Sequence, residues 1–266
     1  MNTHNYKIAY GCGEATCSKA ALFLMMKAGV PINKVVLYTG KPKVGKEKGG
    51  PLKQMLAFIK LYTLPYFLGT AVAPQLIPGF ARRELKKHGF KNFDFKKYCK
   101  EHGIELIEST NFNKDLERIG DMDIFISLFN PHIIKQKFID NAKIMCINFH
   151  PSDLPNFGGC DPIFQMLLNG ITEAVSTGHT MTEEIDNGIM VTKERFSIAG
   201  ESRFAIWWKF LFVAVRQIKQ LNDNNWQYTP LEQPEVKYPY RSFPTREEIA
   251  EFKKKGHKYF KFSDFI

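Results

Sequence analysis

The sequence predicts an α/β protein: a mostly parallel sheet with helices on both faces, followed by a small C-terminal extension. Three segments at the start support this. A short apolar strand at Lys7–Tyr10 precedes a helix at Ser18–Lys27, which Gly29 ends, and a β-branched strand follows at Lys34–Tyr38. This β-α-β order is the building unit of parallel sheets. Short apolar segments then alternate with helical ones as far as residue 200.

The later elements continue this alternation. The predicted strands are Glu105–Ile107, Ile124–Ser127, Met145–His150, Val175–Met181 and Gly188–Phe196. The predicted helices are Phe93–His102, Asp115–Ile119, Lys135–Ala142, Ile163–Asn169 and Ser202–Gln220. A capping box at Thr245 and Glu248 opens a last helix, which stops at Gly256. We predict one domain over residues 1–200 with an insertion at 39–92, and a helix and extended tail over 201–266 packed on it.

The predicted insertion contains an uncharged segment, Leu61–Ala81, preceded by the basic loop KPKVGKEKGG. Its 21 residues are nominally enough to cross a bilayer. However, Pro65, Pro74 and Pro78 would break a helix repeatedly, and unpaired backbone groups are costly in lipid. We therefore expect an apolar lid, a dimer contact or a peripheral membrane element rather than a span.

Composition narrows the class of partner. The 266 residues carry a formal net charge of +10, which favours acidic partners such as nucleotide-linked substrates, polyglutamylated cofactors or anionic lipid. The lysines are spread along the chain, which argues against a nucleic-acid tract. The five cysteines include no CxxC pair, so neither a disulfide framework nor a metal site is predicted. No signal-peptide pattern opens the sequence, and we expect a cytoplasmic location.

Polar residues suited to acyl transfer follow the predicted strand Met145–His150. Asn148 and His150 are two residues apart, so they project from one face at the strand end where ligands of open α/β sheets bind. An amine that attacks an acyl carbon forms an oxyanion, to which the Asn148 amide can donate. His150 can stabilise charge or move protons, and Asp186 can accept the proton that the amine sheds, directly or through water. Each residue alone is a weak signal, because strand-end histidines and turn aspartates are usually structural.

The linear pattern around these residues is more specific. The segments NFHPSDLPNFGG and HTMTEEIDNG together resemble the signature of formyltransferases that use 10-formyltetrahydrofolate, a family that includes phosphoribosylglycinamide, methionyl-tRNA and sugar N-formyltransferases. The resemblance implies a Rossmann-like formyltransferase fold and transfer of the formyl group of 10-formyltetrahydrofolate, as co-substrate, to an amine. It also implies that Asn148, His150 and Asp186 are catalytic.

The same resemblance implies binding residues. Folate is expected to lie between the segments 128–134 and 183–185, and its expected contacts are Leu128, Phe129, Asn130, Ile133, Glu184 and Ile185. The expected contacts of the amine substrate are Gly11, Cys12, Gly13 and Ser152. Asp153 departs from the family pattern, which commonly has an apolar residue there. His179 is expected to support the site, and Trp207 and Phe210 are expected to lie in the core.

The amine acceptor stays open at this point. No run of strands follows Phe196, whereas methionyl-tRNA formyltransferases have an additional C-terminal β-barrel, so nucleic acid is disfavoured. The closing segment YPYRSFPTREEIAEFKKKG resembles the tail of formyltransferase-like proteins of surface-polysaccharide and lipid-linked sugar pathways. We therefore favour a small amine such as an amino sugar, free or carried on a nucleotide or lipid, and a homodimer is a candidate assembly. Methionyl-tRNA formyltransferase, a hydrolase that deformylates the folate, and a non-catalytic folate-binding module remain alternatives.

Overall fold

A seven-stranded sheet organises the computed structural model, which describes residues 5–40, 51–72 and 75–266. The strands are β1 (Ile8–Gly13), β2 (Ile32–Tyr38), β3 (Glu105–Ser109), β4 (Met122–Ser127), β5 (Ala142–His150), β6 (Glu173–Thr180) and β7 (Met190–Ser197). Their spatial order is β3-β2-β1-β4-β5-β6-β7. The first five run parallel, and β6 and β7 add on as antiparallel strands. This confirms the predicted mostly parallel, Rossmann-like sheet.

Helices cover both faces of the sheet. They are α1 (Thr16–Lys27), α2 (Pro51–Tyr62), α3 (Leu64–Phe67), α4 (Gly79–Lys87), α5 (Phe95–Glu101), α6 (Leu116–Ile119), α7 (Gln136–Ile139), α8 (Pro162–Leu168), α9 (Arg203–Asp223) and α10 (Arg246–Lys254). Because strand side chains alternate between faces, Ile8 and Tyr10 pack with α1 and α9, whereas Ala9 packs with Phe125 and Phe138 on the opposite face.

Element boundaries differ from the prediction mainly before β5. The predicted helix Lys135–Ala142 is a single turn, Gln136–Ile139, and β5 begins at Ala142 rather than Met145. The reason is sheet pairing, since Ala142 already lies opposite Met122 of β4. At Ala142, pairing with β4 outweighs the local helical propensity.

The insertion is mainly helical where the structure describes it. Helices α2 and α3 lead into a π-helical turn at Leu68–Val72, and α4 follows. The inner side of α2 and α3 is aromatic, with Tyr66 fully buried and Phe58 and Tyr62 packed beside it. These rings pack in one cluster with Phe164 of α8 and Phe252 of α10. The predicted basic loop at 41–50 lies outside the described residues.

A buried ion pair fixes the insertion to the domain. The Arg203 Nε donates to both carboxylate oxygens of Asp161, at 3.0 and 3.2 Å, and the Tyr66 hydroxyl donates to the same carboxylate at 2.9 Å. Arg203 Nη1 also donates to the carbonyl of Gly69 at 2.9 Å. None of the helices in the described ranges is both long enough and apolar enough to span a bilayer. The segment 61–72 is therefore a docked part of the fold.

Candidate active site

A cavity of about 280 Å³ opens at the C-terminal ends of the parallel strands, where β5 finishes. Asn148 and His150 lie at the carboxyl end of β5. They form the floor of the cavity together with His179 from the neighbouring antiparallel strand β6. One wall is the segment after β4, residues 129–134, and the other is the loop 181–186. The structure thus brings Asn148, His150 and Asp186 to one site, as the sequence predicts.

The two ring nitrogens of His150 have different partners. Its Nε2 lies 3.2 Å from the carbonyl oxygen of Phe157, and because a carbonyl only accepts, this nitrogen carries a hydrogen. Its Nδ1 faces the carboxylate of Asp186, 3.5 Å from Oδ1. Both side chains are more than nine-tenths buried. The Nδ1 atom of His150 therefore points at the Asp186 carboxylate and at the cavity.

Asp186 is held by the glycine loop that follows β5. The amide of Gly159 donates to Asp186 Oδ2 at 2.8 Å, which leaves Oδ1 facing His150. Gly159 has φ +116, and a Cβ built on it would lie 1.8 Å from the carbonyl oxygen of Arg241. Only glycine satisfies both the left-handed backbone and this close approach.

His179 orients the Asn148 amide. Its Nδ1 lies 2.9 Å from the carbonyl of Thr180 and so carries the hydrogen, which leaves a lone pair on Nε2. The Asn148 Nδ2 donates to that lone pair at 3.2 Å. Burial lowers the pKa of His179 to about 4, and Asp186 opposes this only partly. A neutral His179 therefore fixes which end of the Asn148 amide faces β6.

Five of the six predicted folate contacts line the cavity. They are Phe129, Asn130, Ile133, Glu184 and Ile185. Ile133 and Ile185 are 62% and 50% exposed and stand on opposite walls. Asn130 accepts the His132 amide through Oδ1, while its Nδ2 is buried without a partner among the described residues. The sixth, Leu128, lies in the core and uses its carbonyl to accept the Tyr10 hydroxyl.

The predicted amine contacts lie elsewhere, because none of the four is among the residues that line the described cavity. The space beside Gly11 is filled by the ring of Phe125, and the Gly13 amide donates to the carbonyl of Phe129 at 3.0 Å. Cys12 is fully buried, and burial raises the pKa of its thiol strongly.

Ser152 has a hydrogen-bonding role within the loop. Its hydroxyl donates to the carbonyl of Asn156 at 2.8 Å, and its own carbonyl accepts the Thr177 hydroxyl at 2.6 Å. Both bonds fix the turn that follows His150, so Ser152 shapes the loop from inside rather than from the cavity surface.

An aromatic wall was missed by sequence reasoning. Trp207 and Phe210 of α9 line the cavity rather than serving only the core. Trp207 packs on Phe129, with ring centroids 4.9 Å apart, and its Nε1 is buried without a hydrogen-bond partner among the described residues. Phe129 itself has φ +58, a strained value for a bulky residue. The i, i+3 spacing of Trp207 and Phe210 is the only signal in the sequence, and core helices share it.

Cys160 also lines the cavity. Partial burial raises the pKa of its thiol, so it lacks the lowered pKa typical of a nucleophilic cysteine. Within the described parts of the chain, no group of three or more His, Cys, Asp or Glu side chains is arranged to hold a metal ion.

Comparisons with known proteins agree with this site. Residues 77–204 match the protein family described as formyl transferase. A methionyl-tRNA formyltransferase of Clostridium acetobutylicum is 26% identical over 155 residues, which cover 54% of this chain and 50% of that protein. A methionyl-tRNA formyltransferase of Borrelia recurrentis is 41% identical over 66 residues, 25% of this chain and 21% of that protein. The chain thus spans about half, or less, of the length of these curated relatives.

Solved structures share the fold over more of the chain. The sugar 3N-formyl transferase WlaRD, solved in the presence of dTDP and 5-N-formyl-THF, superposes with a TM-score of 0.55 and 18% identity over 90% of this chain and 70% of that one. A phosphoribosylglycinamide formyltransferase from Anaplasma phagocytophilum gives 0.52 and 15% over 90% and 100%.

The structure is an α/β fold with its polar centre at the edge between parallel and antiparallel strands. The part of the chain that is similar to the formyl transferase family, residues 77–204, includes β5, the loop after it, and β6 and β7.

Proposed function

We propose that this protein transfers the formyl group of 10-formyltetrahydrofolate to a primary amine. One observation carries the proposal. An amide, an imidazole and a carboxylate, from Asn148, His150 and Asp186, meet at the floor of a cavity that opens to solvent. These are the groups needed to stabilise an oxyanion and to move one proton from the amine to the departing nitrogen.

Each of the three residues has a distinct task. Asn148 donates an amide hydrogen to the formyl oxygen, on which negative charge develops as the amine nitrogen bonds to the formyl carbon. Asp186 accepts the proton that the amine sheds. His150 carries a second hydrogen on Nδ1. It gives this Nδ1 hydrogen, as a proton, to the folate nitrogen while the bond between that nitrogen and the formyl carbon breaks. Asp186 then returns its proton to His150 Nδ1 across their 3.5 Å separation, which restores the starting state without a covalent enzyme intermediate.

The cavity walls suit a flat heteroaromatic ring. Ile133 and Ile185 offer apolar surfaces from opposite sides, and the unpartnered Nδ2 of Asn130 offers a donor at the buried edge. A reduced pteridine has apolar faces and acceptor atoms on its rim, so Ile133, Ile185 and Asn130 would hold it, with Glu184 beside them. Folate supplies the activated formyl group, and these residues supply its position.

We propose an amino sugar, carried on a nucleotide or a lipid, as the acceptor. Sugar rings present C–H faces that pack on aromatic rings, and Trp207 and Phe129 form such a surface beside the catalytic residues.

Amine dependence tests the proposal. Purified protein is incubated with 10-formyltetrahydrofolate and a panel of nucleotide-linked amino sugars, glycinamide ribonucleotide and methionyl-tRNA, and tetrahydrofolate release is followed by absorbance. We expect release only when one sugar amine is present, with a formylated product gaining the mass of CO. Release at the same rate without any amine would assign the chain as a hydrolase. Activity with methionyl-tRNA alone would replace the sugar assignment but keep formyl transfer.

A further inference from the structure

A leucine face, defined by Leu56, Leu61, Leu64 and Leu68, lies on the outer side of α2, α3 and the turn that follows. These side chains are 56%, 50%, 50% and 41% exposed. All four belong to consecutive helical elements between residues 51 and 72. The opposite side of the same helices carries the aromatic rings that pack on α8 and α10.

The insertion is therefore apolar on both sides. A surface helix normally presents polar residues to water, and a helix that is hydrophobic all round is normally covered on every side. The inner side is covered by the protein and held by the buried pair of Arg203 and Asp161. Nothing among the described residues covers the leucine face in this way, and four exposed leucines between residues 56 and 68 exceed the scattered single exposures that surfaces tolerate.

Charge around the leucine face selects the partner. The sequence contains no Asp or Glu from residue 49 to residue 83. Lys53 and Lys60 are exposed on α2 beside the leucines, and Arg82 and Arg83 are exposed on α4. Exposed leucines with the exposed Lys53 and Lys60 on the same helix are complementary to a surface that is apolar below and anionic above.

We propose that the leucine face binds the surface of an anionic lipid bilayer, as a peripheral contact. The leucines enter the boundary between headgroups and acyl chains, and the lysines pair with lipid phosphates. Because the inner side of α2 and α3 stays docked through Tyr66, the contact needs no unfolding of the insertion. A second copy of this chain is disfavoured as the occupant, since a symmetric contact would place two faces that both carry Lys53 and Lys60 against each other.

Vesicle flotation tests this inference without reference to formyl transfer. The whole protein is mixed with vesicles of phosphatidylcholine alone or with about one third phosphatidylglycerol, and the bound fraction is measured after centrifugation. We expect binding to the anionic vesicles and at least about tenfold weaker binding to the neutral ones. Raising the salt to about 1 M should release most of the protein, since screening shortens the range of the charges to about 3 Å.

Matched variants locate the contact. Leu61→Ser with Leu64→Ser should weaken vesicle binding at least about tenfold, because two exposed leucines lose their apolar surface. Ile144→Ser with Val236→Ser removes comparable exposed apolar surface elsewhere and should leave binding unchanged. Thermal unfolding of both variants checks that they fold.

Three results would overturn the proposal. They are equal binding by the two double variants, no binding of the wild type to anionic vesicles, and a concentration-dependent dimer in gel filtration that the Leu61→Ser, Leu64→Ser variant alone loses. The last result would assign the leucine face to a second copy.

Discussion

Two histidines in one site differ because backbone carbonyls occupy different ring nitrogens. In His150 the carbonyl of Phe157 accepts a hydrogen bond from Nε2, so Nδ1 faces Asp186. In His179 the carbonyl of Thr180 takes Nδ1, so Nε2 faces Asn148. The same side chain thereby serves as a proton carrier in one position and as a fixed acceptor in the other.

Removing any of the three proposed catalytic side chains should slow formyl transfer at least about 100-fold, the scale of one lost oxyanion donor or acid–base group. The variants are Asn148→Ala, His150→Ala and Asp186→Ala, measured by kcat/KM for the acceptor. The control is Cys160→Ala, which changes a cavity wall without a proposed proton or oxyanion role. A variant that keeps near-wild-type turnover would remove that residue from the mechanism.

His179 should make stability fall in mild acid. Burial lowers the pKa of His179 in the folded protein to about 4, against about 6.5 in the unfolded chain. Between these pH values the unfolded state binds the extra proton, so the free energy of unfolding rises with pH from about 4 to about 6.5 and is then constant. The change is about 3 kcal/mol at most.

Urea unfolding at pH 5 and pH 7 measures this difference. His179→Gln should unfold at lower urea overall but should lose most of the pH-dependent part. His88→Gln, which alters a half-exposed surface histidine, should keep it. An unchanged pH dependence in His179→Gln would mean that other groups cause the acid loss.

At the scale of elements, the loop after β5 is held by the C-terminal tail. The Phe157 amide donates to the carbonyl of Tyr238 at 2.9 Å, the Arg241 amide donates to the carbonyl of Gly158 at 2.9 Å, and the Cys160 amide donates to the carbonyl of Arg241 at 3.1 Å. The carbonyl that positions His150 and the amide that positions Asp186 both belong to this loop. The tail therefore sets the geometry of the site although it lines none of the described cavity.

A comparison of Gly159→Ala with Gly170→Ala should separate the stability cost of close packing from the stability cost of backbone strain. The added Cβ meets the Arg241 carbonyl at 1.8 Å, so the loop and tail must part, and we expect a loss of about 2–4 kcal/mol in stability with a large loss of activity. Gly170→Ala has a similar left-handed backbone but open space around it, and should cost only about 1 kcal/mol. Chemical denaturation and kcat measure the two effects, and equal losses in the two variants would contradict the argument.

Elements with strong local periodicity were predictable from sequence. The first β-α-β unit, the long helix α9 and the capping box of α10 lie close to their predicted positions. Asn148, His150 and Asp186 were found because motif spacing reports spatial neighbours. The sequence did not indicate that Trp207 lines the cavity. Whether an aromatic residue of α9 faces the core or the cavity depends on the position of Phe129, which packs against it. The helices of the insertion were not found, since their prolines and uncharged composition do not indicate which side is covered.

For the whole molecule, the site lies where the sheet changes direction. Strand β5 has a parallel neighbour on one side, β4, and an antiparallel one on the other, β6. Carboxyl ends of parallel strands gather ligands at one edge, and the antiparallel β6 brings His179 to the same level as Asn148.

Folate binding should stabilise the whole domain, because a ligand that binds only the folded state raises its free energy of unfolding. At about 100 times its dissociation constant, a stable formyltetrahydrofolate should add about 2.7 kcal/mol, or about 5–10 °C in Tm for a protein of this size. Asn130→Ala should reduce this shift while the Tm of the free protein changes little. Thermal scans with and without ligand measure it, and no shift in the wild type would contradict folate binding.

The hydrogen bonds between the C-terminal tail and the loop after β5 also determine the order in which the sheet and the site form during synthesis. The strands and the three polar side chains are all complete by residue 197, yet Gly158 and Cys160 find their backbone partner only at Arg241. A ribosome-bound chain can thus assemble the sheet well before it has a working centre. The loop that holds His150 and Asp186 is therefore complete only once Arg241 has been added to the chain.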